Sequence, residues 1–223
     1  MTVSPGSAPR AYRAFLFDMD GTLISSTAAA ERVWTRWAER HGLDVARFIP
    51  TIHGVRAPDT IRRQNLPDID LAEEAAWVER GEIEDVDGVV PIPGALDFLK
   101  RLPPDRWAVV TSASVPLACA RMAAAGVEPP AVMITAERVD RGKPDPSGYL
   151  LAAQTLGVDI KDCLVFEDAE AGITAGEAAG ADVVVITAAW THPLETPHPT
   201  LADYAQARLE VEADGALGFS IET

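Results

Sequence analysis

Near its start the chain reads Phe15-Leu-Phe-Asp18-Met-Asp20-Gly21-Thr22-Leu23. The apolar segment 14–17 predicts a buried strand, and two carboxylates spaced two apart follow at its tip. In an open α/β sheet, ligands bind beyond the carboxyl ends of the strands, and Gly21 lets the backbone turn away there. Two carboxylates so close repel each other unless a cation lies between them, and oxygen ligands suit Mg²⁺. The pattern therefore predicts a metal site; the alternative is an Asx turn that closes an ordinary strand.

Length and charge limit the classes of protein to which the chain can belong. It has 223 residues, 48% of them hydrophobic, and a formal net charge of -15. This length can bury one large domain, or a domain with a moderate insertion. The acidic charge argues against a nucleic-acid partner, because phosphate backbones are bound by basic stripes. A small phosphorylated ligand remains compatible, since Mg²⁺ and one lysine can outweigh the overall field locally.

No segment of the sequence predicts a membrane or secreted protein. Residues 1–9 lack the charged start and apolar centre of a signal peptide, and no apolar run approaches the roughly 18 residues of a membrane span. Cys119 and Cys163 lie in apolar surroundings, so we expect both to be small buried hydrophobes in a reducing compartment. We therefore expect a cytoplasmic protein without a membrane partner.

The segment order predicts a core that is interrupted early by a helical insert. Helical periodicity covers residues 28–41, with Thr27 as N-cap, and Pro91-Ile92-Pro93-Gly94 ends the helical region. Strand and helix patterns then alternate, which is typical of a parallel sheet with helical crossovers. The predicted segments are helices at 58–64, 71–85, 95–102, 116–125, 146–156 and 169–179, strands at 107–111, 131–134, 163–166 and 182–186, and a hairpin within 208–222.

We therefore predict an α/β fold with a doubly wound parallel sheet and an inserted helical cap domain. Residues 10–24 and 91–223 would form the core, and residues 25–90 the cap.

Hydroxyl side chains follow the strand predicted at 107–111. Thr111, Ser112 and Ala113 place hydroxyls and backbone N–H groups before a predicted helix, which is a favourable arrangement for binding an anion. The alternative is a simple N-cap, and this is the role that we predict for Ser114.

Two later motifs complete the pattern of charged residues at strand ends. Lys143 lies in a loop between turn-forming residues, where an ammonium can hold a phosphate and offset clustered carboxylates; a lone lysine is otherwise a solvated surface group. Glu167 and Asp168 repeat the first motif, because acids again follow an apolar strand, although acids are also common as helix caps. Because all these motifs end successive strands, we expect them to converge at one edge of the sheet.

These motifs together resemble those of the haloacid dehalogenase superfamily of phosphotransferases. They stand here as Asp18-Met-Asp20-Gly-Thr, Thr111-Ser112, Lys143 and Glu167-Asp168, and the resemblance covers about residues 12–190. The segment from Asp20 to Trp34, followed by His53-Gly54, is most similar to the β-phosphoglucomutase-like subfamily, and within it to the group of 2-deoxyglucose-6-phosphatases, glycerol phosphate phosphatases and sugar phosphatases. The resemblance implies a Rossmann-like core and a Mg²⁺-dependent phosphatase for a small phosphorylated sugar or polyol. We also expect a monomer, because a monomer suits a cap that must open.

The resemblance also implies roles for the acidic residues. Asp18 would be the nucleophile that forms an aspartyl-phosphate, and Asp20 would protonate the leaving oxygen and then activate water. Mg²⁺ would be held by Asp18, by the backbone carbonyl of Asp20 and by Asp168, with Glu167 as a direct ligand or an outer partner.

The phosphate and the rest of the substrate would contact other residues. The hydroxyl of Thr111 or of Ser112, the N–H group that follows it and Lys143 would hold the phosphoryl oxygens. For the residues of the cap, direct substrate contacts and ordinary structural roles both remain open. These cap candidates are Glu31, His53, Gly54 and Arg56.

Three other functions are weighed against the phosphatase. A phosphosugar mutase of the β-phosphoglucomutase type carries a cap-helix histidine where this chain has Ala30, and a phosphate-binding arginine where it has Ala57, with Arg56 one residue away. Dehalogenase chemistry is disfavoured by Asp20, since it needs no leaving-group acid at this position. A non-catalytic phospholigand-binding protein is also disfavoured, because every motif position holds a chemically competent residue.

Overall fold

The computed structural model describes residues 10–190 and 195–222. The strands within these ranges are β1 (Arg10–Tyr12), β2 (Ala14–Phe17), β3 (Ile24–Ser25), β4 (Val90–Pro91), β5 (Trp107–Val110), β6 (Met133–Ile134), β7 (Cys163–Glu167), β8 (Asp182–Ile186), β9 (Thr200–Leu201), β10 (Ala207–Val211) and β11 (Leu217–Ile221). The α-helices are α1 (Thr27–Arg40), α2 (Val45–Phe48), α3 (Ala57–Arg63), α4 (Leu71–Glu84), α5 (Ala95–Lys100), α6 (Val115–Ala125), α7 (Ser147–Leu156) and α8 (Glu170–Ala179).

The central sheet has six strands in the order β6-β5-β2-β7-β8-β9, and every neighbouring pair is parallel. Strand β2 lies inside the sheet and is completely buried, with β5 on one side and β7 on the other. The chain therefore reverses its direction of winding next to β2, and such switch points leave a crevice at the carboxyl ends of the strands. The prediction of a doubly wound parallel sheet is confirmed.

Apolar side chains cover both faces of the sheet. On one face Phe17 stacks on Phe166, with ring centroids 4.6 Å apart. On the other face Leu16 and Val165 belong to a cluster that includes Tyr149 of α7. Strands buried on both faces need continuous apolar sequence, which is why β2 and β7 read as uninterrupted apolar runs.

A smaller antiparallel sheet joins the two ends of the described chain, in the order β1-β11-β10. The predicted C-terminal hairpin is confirmed by the pairing of β10 with β11. Strand β1 was not predicted, because three residues carry no periodicity and the partner strand is remote in sequence; Arg10 pairs with Phe219 and Tyr12 with Leu217.

The first four helices pack around their own apolar cluster. Trp34 and Trp37 of α1 are buried in it together with Phe48, Ile61 and Val78, so the two tryptophans pack within this cluster. Strands β3 and β4 pair antiparallel where the chain enters and leaves this helical region. The division into a core and a cap at residues 25–90 stays our proposal, and this pairing supports it.

Some local predictions were wrong. Helix α1 begins at Thr27 and its N-cap is Ser26, which makes no side-chain capping bond. Cys119 is exposed rather than buried, because it lies on the outward face of α6, whereas Cys163 is buried as expected. Helix α2 was not predicted, because its 4 residues are too few to show a helical period in the sequence. The predicted cap Ser114 is confirmed, since its Oγ accepts a hydrogen bond from the N–H of Leu117 at 3.4 Å.

Residues 1–9, on which the expectation about a signal peptide depends, lie outside the described ranges. Within the part of the chain that the structure describes, none of the helices combines the length and the apolar composition needed to cross a membrane.

Candidate active site

The carboxyl ends of three neighbouring strands bring the predicted motifs together. Asp18 follows β2, Thr111 follows β5, and Glu167 ends β7 next to Asp168. Lys143 comes from the loop between β6 and α7 and reaches the same point. The convergence expected from the sequence is therefore present in the structure, while the catalytic roles of these residues stay predictions.

An ion-paired cluster lies at the tip of β2. The Nζ of Lys143 is 2.5 Å from Oδ1 of Asp18 and 2.5 Å from Oε1 of Glu167. Oxygen atoms of Asp18, Glu167 and Asp168 all lie within 4.8 Å of one another. A set of carboxylate oxygens at this spacing fits a hard divalent cation such as Mg²⁺.

Glu167 is held in place by donors of the protein itself. The hydroxyl of Tyr149 donates to its Oε1 at 2.8 Å, and the backbone N–H groups of Asp168 and Ala169 donate to its Oε2 at 3.0 and 3.2 Å. Because both oxygens already accept hydrogen bonds, this arrangement favours Glu167 as an outer partner of the metal ligands. Tyr149 was not predicted, because a tyrosine on a helix flanking the sheet is indistinguishable in sequence from a core residue.

The cluster holds more negative charge than its burial favours. Burial raises the pKa of Asp18 to about 8, although the ammonium of Lys143 acts in the opposite direction. Burial, with the charges of Asp18 and Glu167, also raises the pKa of Asp168 well above its usual range. Burial alone would lower the pKa of Lys143, but the carboxylates of Asp18 and Glu167 outweigh it and keep the lysine protonated. One lysine thus does not balance the acids, and a divalent cation would.

Two glycines leave room for the carboxylates. A Cβ atom on Gly21, which has φ +86, would lie 1.9 Å from Oδ2 of Asp168. A Cβ atom on Gly172 of α8 would lie 1.6 Å from Oε1 of Glu167. Gly21 therefore serves both the turn predicted from the sequence and the close approach of a predicted metal ligand.

Asp20 is bound by residues that sequence reasoning missed. Its Oδ1 accepts a hydrogen bond from Oγ of Ser26 at 2.5 Å and lies 3.0 Å from Nη1 of Arg121. The Nη2 of Arg121 donates to Oε1 of Glu82 at 3.0 Å. Burial raises the pKa of Glu82, and the guanidinium of Arg121 opposes this effect. The hydroxyl of Ser26 is thus directed at Asp20, which explains why Ser26 does not cap α1.

The hydroxyls of the second motif have different partners. Oγ1 of Thr111, which is buried, accepts a hydrogen bond from the N–H of Ala113 at 3.0 Å. Oγ of Ser112 donates to the carbonyl of Gly54 at 2.9 Å, so it faces the loop that follows α2. Thr111, Ser112 and Ala113 all line the cavity described next, and the choice between the two hydroxyls stays open.

A cavity of about 580 Å³ lies between the helical insert and the tip of β2. This volume is within the range of about 300–1,000 Å³ found for small-molecule sites. Of the cap candidates, His53, Gly54 and Arg56 line the cavity. Glu31 lies next to the cavity, because its Oε1 is 3.5 Å from Nε2 of the lining residue His53. Burial lowers the pKa of His53, although the carboxylate of Glu31 opposes this effect. The lowered pKa favours a neutral imidazole.

Arg56 ties the helical insert to the loop that carries Lys143. Its Nε donates to Oδ2 of Asp59 at 2.7 Å, and its Nη1 and Nη2 donate to the carbonyls of Val139 and Asp140 at 3.2 Å each. All three nitrogens therefore have protein partners. Arg56 can affect the substrate indirectly, because it holds the helical insert against the loop that carries Lys143. A direct contact between Arg56 and the substrate stays a prediction.

Comparison with known proteins agrees with this geometry. A sequence model of the haloacid dehalogenase-like hydrolases matches residues 12–180. The chain belongs to this family. It is 42% identical over 202 residues to hexitol phosphatase A of Escherichia coli strain K12, covering 89% of this chain and 92% of the relative. It is 37% identical over 196 residues to 2-deoxyglucose-6-phosphate phosphatase 1 of Saccharomyces cerevisiae, covering 78% of this chain and 80% of the relative.

The fold of this haloacid dehalogenase-like hydrolase is also found among solved structures. The β-phosphoglucomutase of Clostridium difficile superposes with a TM-score of 0.70 at 20% identity, covering 78% of this chain and 84% of the other. At this level of identity the likeness concerns the fold alone.

From the acidic cluster we expect the stability of this hydrolase to depend on pH and on a divalent metal ion. The pKa of Asp18 is about 8 in the folded protein, against 3.8 for an unperturbed aspartate. The folded chain therefore binds more protons than the unfolded chain between these values, and the free energy of unfolding falls as pH rises. In EDTA we expect the Tm to fall from about pH 5 to about pH 8, and Mg²⁺ at roughly 100 times its Kd to raise the Tm near pH 8 by about 5 °C or more.

Thermal unfolding followed by circular dichroism measures both effects. The variant Asp168→Asn should show a smaller shift with Mg²⁺, because it loses a ligand oxygen, while Asp97→Asn at an exposed position should behave as the wild type. A Tm in EDTA that rises across this pH range, or a Tm indifferent to Mg²⁺ at the upper end, would contradict the metal site.

Proposed function

We propose that this chain is a Mg²⁺-dependent phosphatase that hydrolyses a small phosphorylated sugar or polyol through an aspartyl-phosphate on Asp18. The observation that carries the proposal is the placement of Asp18, beside Lys143 and Asp168, at the end of a central strand, where it lines a cavity of about 580 Å³. The names of the two relatives described above support the substrate class. A cytoplasmic location and a monomeric state belong to the same proposal.

In the first step a carboxylate oxygen of Asp18 attacks phosphorus, and the bond from phosphorus to the sugar oxygen breaks. Asp20 gives its proton to that oxygen, so that the sugar leaves as an alcohol. Lys143, the hydroxyl of Thr111 or of Ser112 and the backbone N–H of Ser112 stabilise the negative charge on the phosphoryl oxygens. Mg²⁺, which Asp18 and Asp168 would hold, would supply further positive charge against the developing negative charge of the phosphoryl group.

In the second step water hydrolyses the aspartyl-phosphate. Asp20 is now ionised, and it accepts a proton from the water as the water attacks phosphorus. The bond between phosphorus and the Asp18 oxygen breaks, which releases inorganic phosphate and restores the carboxylate. The helical insert covers the site and excludes bulk water during the first step.

The charges that line the cavity favour a neutral group beyond the phosphate. Its arginines are already paired: Arg56 and Arg62 with Asp59 at 2.7 and 2.5 Å, and Arg121 with Glu82 at 3.0 Å. Glu79 and Glu137 also line the cavity and accept hydrogen bonds. A second phosphate or a carboxylate would meet these carboxylates, whereas sugar hydroxyls can donate to them.

Phosphate release from a panel of monoesters tests this function. We expect hexitol and hexose monophosphates to be hydrolysed with Mg²⁺ and not with EDTA. A hexose bisphosphate and a nucleoside monophosphate should be at least about tenfold poorer in kcat/KM, since each 1.4 kcal/mol of repulsion costs that factor. A preference for the nucleotide, or conversion of a hexose 1-phosphate to a 6-phosphate without release of phosphate, would contradict the proposal in favour of a different substrate or the mutase.

A further inference from the structure

A buried arginine links the proposed general acid to the helical insert. Arg121 extends from α6 of the core, and only 6% of its side chain is exposed. One nitrogen lies 3.0 Å from Asp20, and another lies 3.0 Å from Glu82 of α4, whose side chain is 8% exposed. The guanidinium thus bridges the carboxylate of Asp20, which follows β2, and a carboxylate of the insert.

Stability alone does not account for this bridge. Burying an arginine and a glutamate costs desolvation energy, and apolar residues of similar volume often serve stability as well or better. The Nε of Arg121 is moreover buried without a hydrogen-bond partner among the described residues. An arrangement that costs energy and lines the cavity points to a role in the reaction.

The bridge restrains the orientation of Asp20. Both Arg121 and Ser26 contact the same oxygen, Oδ1, and within residues 10–190 and 195–222 no hydrogen bond reaches Oδ2. The carboxylate cannot rotate without losing both contacts, while Oδ2 is left for a proton transfer. Because Glu82 belongs to the insert, the second half of the bridge exists only while the insert lies against α6.

We propose that Arg121 is a positioning residue, which holds Asp20 in the orientation for proton transfer, and that Glu82 makes this orientation depend on closure of the insert. The proposal rests on the function proposed above. Closure over a correct substrate would then complete both the cavity and the alignment of the acid.

A comparison of two leaving groups tests the role of Arg121. The value of kcat/KM covers the steps up to departure of the leaving group, and a sugar alkoxide needs a proton at departure whereas p-nitrophenolate does not. Arg121→Met should therefore lower kcat/KM for a hexitol phosphate by about 100-fold or more, and for p-nitrophenyl phosphate by less than about fivefold. Equal losses for both substrates, or no loss for either, would overturn the proposal.

Further variants separate positioning from folding. The double variant Arg121→Met/Glu82→Met removes the buried pair together and keeps the leaving-group test possible if the single variant does not fold. Glu82→Met should also lower kcat/KM selectively for the hexitol phosphate, but by a smaller factor than Arg121→Met. Glu82→Gln retains an oxygen for the guanidinium and should keep most of the wild-type kcat/KM. A Glu82→Met enzyme with wild-type kcat/KM for the hexitol phosphate would overturn the dependence on closure.

The controls identify which proposal has failed. Arg36→Met, at an exposed position of α1, should leave both kcat/KM values within about twofold of wild type. Wild-type protein that hydrolyses neither ester with Mg²⁺ would contradict the proposed phosphatase itself. If the wild type hydrolyses both esters and Arg121→Met lowers kcat/KM equally for both, only the positioning role is contradicted.

Discussion

Replacing Asp18 by asparagine should lower kcat by at least about four orders of magnitude, because an amide is not a competent nucleophile toward phosphorus. The side chain keeps its shape, and the amide cannot carry the negative charge of the Asp18 carboxylate. Burial disfavours that charge and raises the pKa of Asp18 to about 8. We therefore expect Asp18→Asn to fold with a Tm in EDTA equal to or above that of the wild type. Initial rates of phosphate release and a thermal melt measure the two effects.

A phosphoenzyme assay makes this prediction more specific. Wild-type protein quenched in acid during turnover of a radiolabelled sugar phosphate should retain label, and Asp18→Asn should retain none. Asp97→Asn, a change of the same chemistry at an exposed position, should label and turn over as the wild type does. Near wild-type, Mg²⁺-dependent turnover by Asp18→Asn would remove Asp18 as the nucleophile.

Replacing Lys143 by methionine should cost both activity and stability. Its Nζ is 2.5 Å from Asp18 and from Glu167, and removal of one partner from such a buried cluster leaves uncompensated charge, at a cost of about 3–5 kcal/mol. We also expect kcat/KM to fall by about 10³-fold, because a charge that stabilises the phosphoryl oxygens is lost. Denaturant unfolding and steady-state kinetics measure the two losses.

Metal dependence separates the two roles of Lys143. Mg²⁺ should restore part of the stability of Lys143→Met, since it neutralises the same carboxylates, but it should not restore the rate. Lys100→Met is the matched control: its ammonium lies 3.4 Å from Asp97 at the surface, and the change should stay within about 0.5 kcal/mol. A Lys143→Met protein as stable as the wild type in EDTA would contradict the charge balance described for the cluster.

The strands of the core could be predicted because their sequences carry a local signal. The apolar runs at β2, β7 and β8 are buried on both faces, so an uninterrupted run predicts them. Strand β1 and helix α2 carry no such signal: each is too short for periodicity, and β1 exists only because β11 returns to pair with it.

The candidate site was predicted where each residue follows a strand. Asp18, Thr111 and Asp168 converge because parallel strands place their carboxyl ends at one edge. The partners of these residues were missed, since they lie on helices at positions that read as ordinary packing or surface. Tyr149, which donates to Glu167, and Arg121, which contacts Asp20, are the main examples.

The sequence by itself determined the family and the enzyme class of this protein, and the order and spacing of its charged residues after apolar strands predict that phosphoryl transfer takes place at the tip of β2. Only the tertiary structure decided which side chains from distant helices surround that site. Glu82 and Arg121 are separated from Asp20 by tens of residues, yet α4 and α6 place the guanidinium of Arg121 between the carboxylates of Asp20 and Glu82. A local sequence pattern indicates the role of a residue within its own helix or strand, whereas contacts between helices depend on the packing of the whole chain.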